Sequence, residues 1–394
     1  MRSVNVDIFL SAKCNEQNMR TKSVLLILFL LCWSTIALCI AYYGWSITWE
    51  TLFIPSGSQP FADMRSIQGA LFSVSTGHNP QVDNPGDPWG RVMNYPSVWI
   101  DIAKFLGFEN ETNFMLFVSG CMLGYLYSCY TLLQKFPSVY MLLAMLSGAC
   151  LLAVERGNND LVVFSLIVAA SHIRLDWVRS FIVLSAIILK IYPIFSIYGF
   201  FQKNIKVLAV TAMLAAIYMM VNYDEMLLIK SGNTASGYFT YGIHLDAILT
   251  VGLLSILILL IILLIKSGIA DGLLINKCSE YERELFIIGG SIFVSTFVLA
   301  ENWDYRLVFL LLCLPYIQSL KNKFILHITS VCVLFSMNVL LMDISGPFMD
   351  ILGPFIDTTI EMSKFYLFVA ISIAVTHELS SRTFISATRN GIPQ

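Results

Sequence analysis

The stretch SVLLILFLLCWSTIALCIAYYGW, Ser23–Trp45, carries no charged side chain and decides the class of fold. At ~1.5 Å of rise per residue it is long enough as a helix to cross a hydrocarbon core of ~30 Å. It is too long for the core of a signal peptide and lacks a small-residue cleavage site, so it reads as a retained membrane helix. The rest of the chain agrees. Of its 394 residues 57% are apolar and only 13% charged, with a mean hydropathy of +0.73, far from the composition of a soluble globular domain.

Further apolar runs follow at Asn113–Leu133, Val139–Val154, Leu161–Ser171, Phe181–Leu189, Ile191–Phe201, Val207–Val221, Leu245–Ile265, Leu285–Ala300, Leu307–Leu320, Phe324–Met342 and Phe365–Thr376. The expectation is an all-α polytopic membrane protein with about ten to twelve transmembrane or re-entrant helices, forming one integral membrane domain over residues 1–394. Runs of a dozen residues or fewer are too short to span alone; they must be tilted, re-entrant or shielded around a wet cavity. Threading the runs with the N-terminus inside places most of the 24 Lys and Arg on the inner face, among them Lys13, Arg20, Lys22, Arg174, Arg179, Lys203, Lys206, Lys321 and Lys323. The near-neutral total of −2 conceals that polarity. The nine cysteines lie mostly inside apolar runs without a CxxC pair, and read as packing residues.

Three polar segments face outward in this threading: a large first loop at 47–112, a second at 222–243 and a third at 345–363. Within the first, Ala62–Ser75 reads as a surface-lying helix stopped by Gly77, and Ser97–Phe108 as a second helix started after Tyr95–Pro96. Ionisable groups near membrane depth are costly, and the outer ends of the runs collect Asp63, Arg65, Arg91, Glu155, Arg156, Asp160, Lys190, Glu301, Asp304 and Arg306. Asp63 is a candidate general base, against the plainer reading of a carboxylate complementing a helix N-terminus. The hexapeptide Glu155-Arg-Gly-Asn-Asn-Asp160 is either a hairpin whose charges pair internally or a helix start offering N–H groups to an anion. Lys190-Ile-Tyr-Pro193 places a cation at a helix break, which snorkelling or an anion site explains. Asn302-Trp-Asp-Tyr-Arg306 supplies an Arg able to grip phosphate beside aromatics suited to a sugar or to an interface belt. His78 and His244 lack ligand spacing, no metal site is expected, and no nucleotide-binding loop is present. Asn110-Glu-Thr112 is a glycosylation sequon, weak evidence of compartment.

In order, these landmarks resemble the GT-C superfamily of membrane glycosyltransferases, and most closely glycosyltransferase family 87. That family's first outer loop shows an Asp, a helix with Ala, Gly-x-Asn-Pro-Tyr and Tyr-Pro-Pro; the counterparts here are Asp63, Ala70, Gly77-His-Asn-Pro80 and Tyr95-Pro96. Gln81 stands where the family has Tyr, and Ser97 where it has a second Pro. Arg156-Gly-Asn-Asn-Asp160 is similar to its Gly-Gln-Asn turn, Leu189-Lys-Ile-Tyr-Pro193 to its Leu-Lys-x-Tyr-Pro, and Trp303–Pro315 to its late aromatic helix. The resemblance spans roughly Val24 to Ser319.

It implies a GT-C-like fold and inverting transfer of a sugar from a polyprenyl-phosphate donor to a lipid or glycan acceptor. Asp63 would act as base; Lys190, Arg156, Arg306 and Tyr192 would hold the donor phosphate; Arg65, His78, Asn79, Tyr95, Asn158, Asn159, Asp160, Trp303 and Asp304 would contact sugar or acceptor. No cofactor is required, a divalent cation is optional, and nucleic acid is not a partner. The expected location is a bacterial inner membrane, with a cytoplasmic N-terminus and the site on the periplasmic face. The rival readings are a ligase or polymerase of lipid-linked glycans, and a transporter or flippase of an anionic lipid or sugar.

Overall fold

The computed structural model describes residues 2–232, 247–268, 278–299, 304–338 and 347–389. Every element of length among them is helical. In chain order the first nine α-helices are α1 (Arg2–Tyr43), α2 (Trp45–Thr51), α3 (Ala62–Ser75), α4 (Val98–Leu106), α5 (Glu111–Lys135), α6 (Val139–Met145), α7 (Gly148–Arg156), α8 (Asn159–His172) and α9 (Asp176–Leu189). The major helices after them are Ile205–Val221, Tyr223–Gly232, Ala247–Lys266, Glu280–Leu299, Lys323–Met337 and Pro347–Arg389.

Among the described residues four helical stretches are long and apolar enough to cross a membrane: Met19–Tyr43, Glu111–Lys135, Val139–Arg156 and Gly353–Ser380. A fifth arises if Ile205–Val221 and Tyr223–Ile229, bent by 74°, act as one span. The larger number expected from the sequence included shorter apolar helices, such as Asn159–His172, Tyr192–Phe201 and Lys323–Met337, that fall below spanning length. The most apolar window of Met19–Tyr43 is only 11% buried, whereas that of Val139–Arg156 is 72% buried, so the first faces outward and the second forms part of the core.

At the centre stands the Glu280–Leu299 helix. A Cβ at Gly289 would lie 2.7 Å from the Phe309 carbonyl oxygen, and one at Gly290 would lie 2.7 Å from a Val375 methyl. These two glycines let the Asp304–Leu312 3-10 helix and the Pro347–Arg389 helix approach closely, the usual device of packed membrane helices. The short runs Ile191–Phe201 and Leu307–Leu320 become broken elements, each with a 3-10 segment (Tyr192–Ser196 and Asp304–Leu312), with Pro193 and Pro315 near the breaks. Phe309 ties them together, its ring 5.5 Å from Tyr192 and 5.9 Å from Phe164 of α8.

The first outer loop holds α3 and α4 where the sequence places them. The segment read as a third outer loop, 345–363, is instead helical from Pro347 onward, in a helix that continues through Pro354 to Arg389. Pro347 opens it, where a missing N–H costs nothing, and the apolar residues that follow carry the helix on. Of the second outer segment, Tyr223–Gly232 is helical and 233–246 lies outside the described residues.

Candidate active site

The site is built where the first outer loop meets the α7–α8 connection. Phe61 precedes α3 in the left-handed region, φ 64°, and its N–H donates to the Glu155 carbonyl at 3.2 Å, which pins the start of α3 to the end of α7. Gly157 turns the chain from α7 into α8 at φ 59°, and a Cβ there would lie 2.9 Å from Phe61 Cβ. Only glycine meets both demands. The fully buried Glu155 carboxylate anchors the loop's entrance: its Oε1 accepts from Trp45 Nε1 (3.2 Å), Ser56 Oγ (3.1 Å) and Gly57 N (3.4 Å), while Oε2 pairs with Arg156 Nε at 3.1 Å.

Asp63 therefore arrives in the first turn of α3 beside the start of α8. Its Oδ2 accepts from Asn158 Nδ2 at 2.5 Å, and its Oδ1 faces Arg91 Nη1 at 3.3 Å. Asn158 caps α8, its Oδ1 accepting from Asp160 N at 2.8 Å and from Lys190 Nζ at 3.5 Å. Asp160, whose side chain is fully buried, pairs with Lys190 Nζ at 2.5 Å, accepts from the Tyr192 hydroxyl at 2.6 Å and turns its Oδ2 toward Arg306 Nε at 3.8 Å. Lys190 ends α9, and its ammonium lies 5.4 Å from the Tyr95 ring, 5.8 Å from Tyr192 and 5.9 Å from Tyr305. Arg306 lies over Tyr192, 4.9 Å from the ring centre.

Charges divide unevenly across this network. Around Asp160 there are two cations, Lys190 and Arg306, to one carboxylate. Around Arg91 there are two carboxylates, Asp63 and Asp87, to one cation. One end thus carries a positive surplus and the other a negative one. Burial raises the Asp63 carboxyl above the usual aspartate range, although the Asn158 hydrogen bond and the charges of Arg91, Arg156 and Lys190 oppose it. Burial, with the neighbouring Asp63 charge, also drives the Tyr95 phenol well above its ordinary range, so it stays protonated.

Of the residues singled out from sequence, the fold gathers Asp63, Tyr95, Arg156, Asn158, Asn159, Asp160, Lys190, Tyr192 and Arg306. Arg65 is elsewhere: its guanidinium reaches Glu111 at 2.6 and 3.1 Å, Gln68 Oε1 at 2.9 Å and the Pro60 carbonyl at 3.1 Å, over the Phe114 ring. His78 pairs with Asp83 at 2.7 Å on the exposed turn, where Asn79 Oδ1 accepts from Gln81 N at 3.1 Å. Asp304 opens its 3-10 helix; Trp303, Glu301 and His244 lie outside the described residues.

Asp87, its side chain fully buried, is not among the residues singled out from sequence, yet it holds Arg91 against Asp63, accepting from Nη2 at 2.9 Å and from Nε at 3.2 Å. Glu225 is a second such case: its Oε1 accepts from Gln81 Nε2 at 2.9 Å and Ser97 N at 2.5 Å, fastening the second outer segment to the first. The i, i+4 spacing of Asp87 and Arg91 hints at their pairing, but nothing local aims it at Asp63. Among the described residues no group of three His, Cys, Asp or Glu side chains is disposed to hold a metal ion. No family model matches the chain, and neither a curated protein nor a solved structure matches it.

Proposed function

We propose that this chain is an integral membrane glycosyltransferase that moves a sugar from a polyprenyl-phosphate donor to an acceptor hydroxyl, with inversion and with Asp63 as general base. The observation that carries the reading is the linkage of a nearly buried carboxylate, Asp63, 12% exposed, through one Asn158 side chain to a cluster with surplus positive charge at Lys190 and Arg306. A base and an anion-holding site so close together, each with its own counter-ions, suit a reaction in which one group loses a proton while another gains negative charge.

The acceptor oxygen attacks the anomeric carbon and its proton passes to Asp63. The bond from that carbon to the phosphate oxygen breaks on the opposite face, and its electron pair leaves with the phosphate. The donor phosphodiester carries one negative charge and the departing phosphate monoester a second, which Lys190 and Arg306 stabilise as it grows; the Tyr192 hydroxyl orients Asp160 between them. Arg156, partly exposed at the rim, supplies a further cation. In this reading the N-terminus is cytoplasmic and the site lies on the outer, periplasmic face of a bacterial inner membrane; the excess of Lys and Arg on the opposite end of the threading supports that orientation.

The test is Asp63→Asn in the purified chain, with short-chain polyprenyl-phosphate sugars as donors. Loss of turnover with donor binding retained supports the reading. Retained turnover removes Asp63 as the base, and movement of an anionic lipid across proteoliposomes by wild type and variant alike, with no sugar transfer by either, replaces the reading with the transporter alternative.

A further inference from the structure

Asn159 opens α8 between two residues that are fully engaged, Asn158 on Asp63 and Asp160 on Lys190, and all three are fully buried. Yet neither Nδ2 nor Oδ1 of Asn159 has a hydrogen-bond partner. Buried amides are almost always paired, because nothing in the interior replaces the water they give up. An amide without a protein partner at a helix N-terminus inside a polar network is one that a bound ligand can complete. In the same turn Asp160 Oδ2, though it faces Arg306, also makes no hydrogen bond.

The chemistry of the amide narrows the ligand. It presents two N–H donors and an acceptor oxygen on one planar group. A phosphate oxygen satisfies only the donors and an ammonium only the acceptor, whereas a hydroxyl both gives and takes. We propose that Asn159 is the hydrogen-bonding site for a hydroxyl of the transferred sugar, and so a residue that selects the sugar. That the hydroxyl belongs to a sugar rests on the glycosyl-donor reading; that the amide awaits a donor–acceptor group does not.

The discriminating variant is Asn159→Leu, which keeps the branching of the amide but is apolar and bulkier, with Asn159→Ala as the variant least able to clash. Two measurements are made on the full chain in detergent: the thermal unfolding midpoint without ligand, and the affinity for citronellyl methyl phosphate, a diester of equal charge, compared with citronellyl phosphate bearing mannose, glucose or arabinose. The expected result is that Asn159→Leu unfolds at a temperature higher by about 2 °C or more, since an unpaired buried amide has been removed. Wild type should bind one sugar-bearing lipid about tenfold or more tightly than the methyl diester, and both variants should lose that gain while binding citronellyl methyl phosphate as before. A fall in midpoint for both variants would overturn the proposal, because the amide would then serve the fold or hold a structural water. Variants that keep the sugar-dependent gain would overturn it equally. If wild type shows no sugar-dependent gain but Asn159→Leu is stabilised, the glycosyl-donor reading fails and the reserved amide stands.

Discussion

Gly69→Ala is the perturbation whose outcome the structure fixes most tightly. Gly69 lies in the middle of α3, and a Cβ built on it would sit 2.4 Å from the Gly86 carbonyl oxygen, 2.5 Å from its carbon and 2.7 Å from Asp87 N. All three are backbone atoms, so no side chain can swing away. Relief to ordinary contact requires the 84–91 segment to retreat from α3 by about 1 Å. That segment hangs on α3 through Gly86 N to Ser73 Oγ at 3.1 Å and Ser73 Oγ to Asn84 Oδ1 at 2.7 Å, and it carries Asp87 and Arg91 to Asp63. Overpacking costs about 1–3 kcal/mol, two lost hydrogen bonds about 2 kcal/mol together, and the helix regains about 1 kcal/mol from Ala over Gly, leaving a net loss of about 2–4 kcal/mol. The assay is thermal unfolding in detergent beside donor turnover, with Gly120→Ala as control, because a Cβ there meets nothing within 4 Å. Gly69→Ala should unfold well below wild type and lose activity as Arg91 withdraws, while the control should not. A Gly69→Ala protein as stable and active as wild type would refute the idea that this backbone contact positions Arg91.

The remaining expectations concern charge. Asp63→Asn should reduce turnover by about 10²–10⁴. Because burial raises the Asp63 pKa in the folded chain, the ionised carboxylate costs stability at neutral pH and that cost disappears as pH falls below the unfolded value; Asp63→Asn should therefore unfold at a higher temperature than wild type at neutral pH, with the two converging in acid. For the same reason the acidic limb of the rate profile should lie above the ~3.9 of a free aspartate, and a limb at or below that value would remove Asp63 as the base. Asp160→Asn should cost about 3–5 kcal/mol, since it leaves Lys190 and Arg306 without their shared buried carboxylate; a shift below 1 kcal/mol in urea-induced unfolding would show that the cations find other partners.

Much of this architecture is legible in the chain because it is local. Apolar length marks α1 and α5, Gly77 and Gly157 mark where α3 and α7 end, and Pro193 marks the break beside Lys190. The Glu155–Asp160 hexapeptide also shows its helix start, with Asn158 as cap. Other features depend on atoms remote in sequence. Arg65 and Arg91 are equally plausible partners for Asp63 on paper; Glu111, 46 residues on, takes the first, and the Gly69–Gly86 contact delivers the second. Hydropathy is equally blind to the Pro347–Arg389 helix, whose first turns are punctuated by Pro347, Asp350 and Pro354 in the manner of a loop.

The scant burial of the Met19–Tyr43 span has a consequence of its own. Apart from Leu25 and Phe29, few of its side chains lie deep against other helices, and most of the rest are exposed on an apolar surface suited to acyl chains, which have no fixed shape. Leucine, isoleucine, valine and phenylalanine are therefore interchangeable along its outward faces, and a combinatorial library there should return almost any greasy sequence. The same library placed at Val139–Arg156 should return few survivors, because there each contour must fit a neighbour.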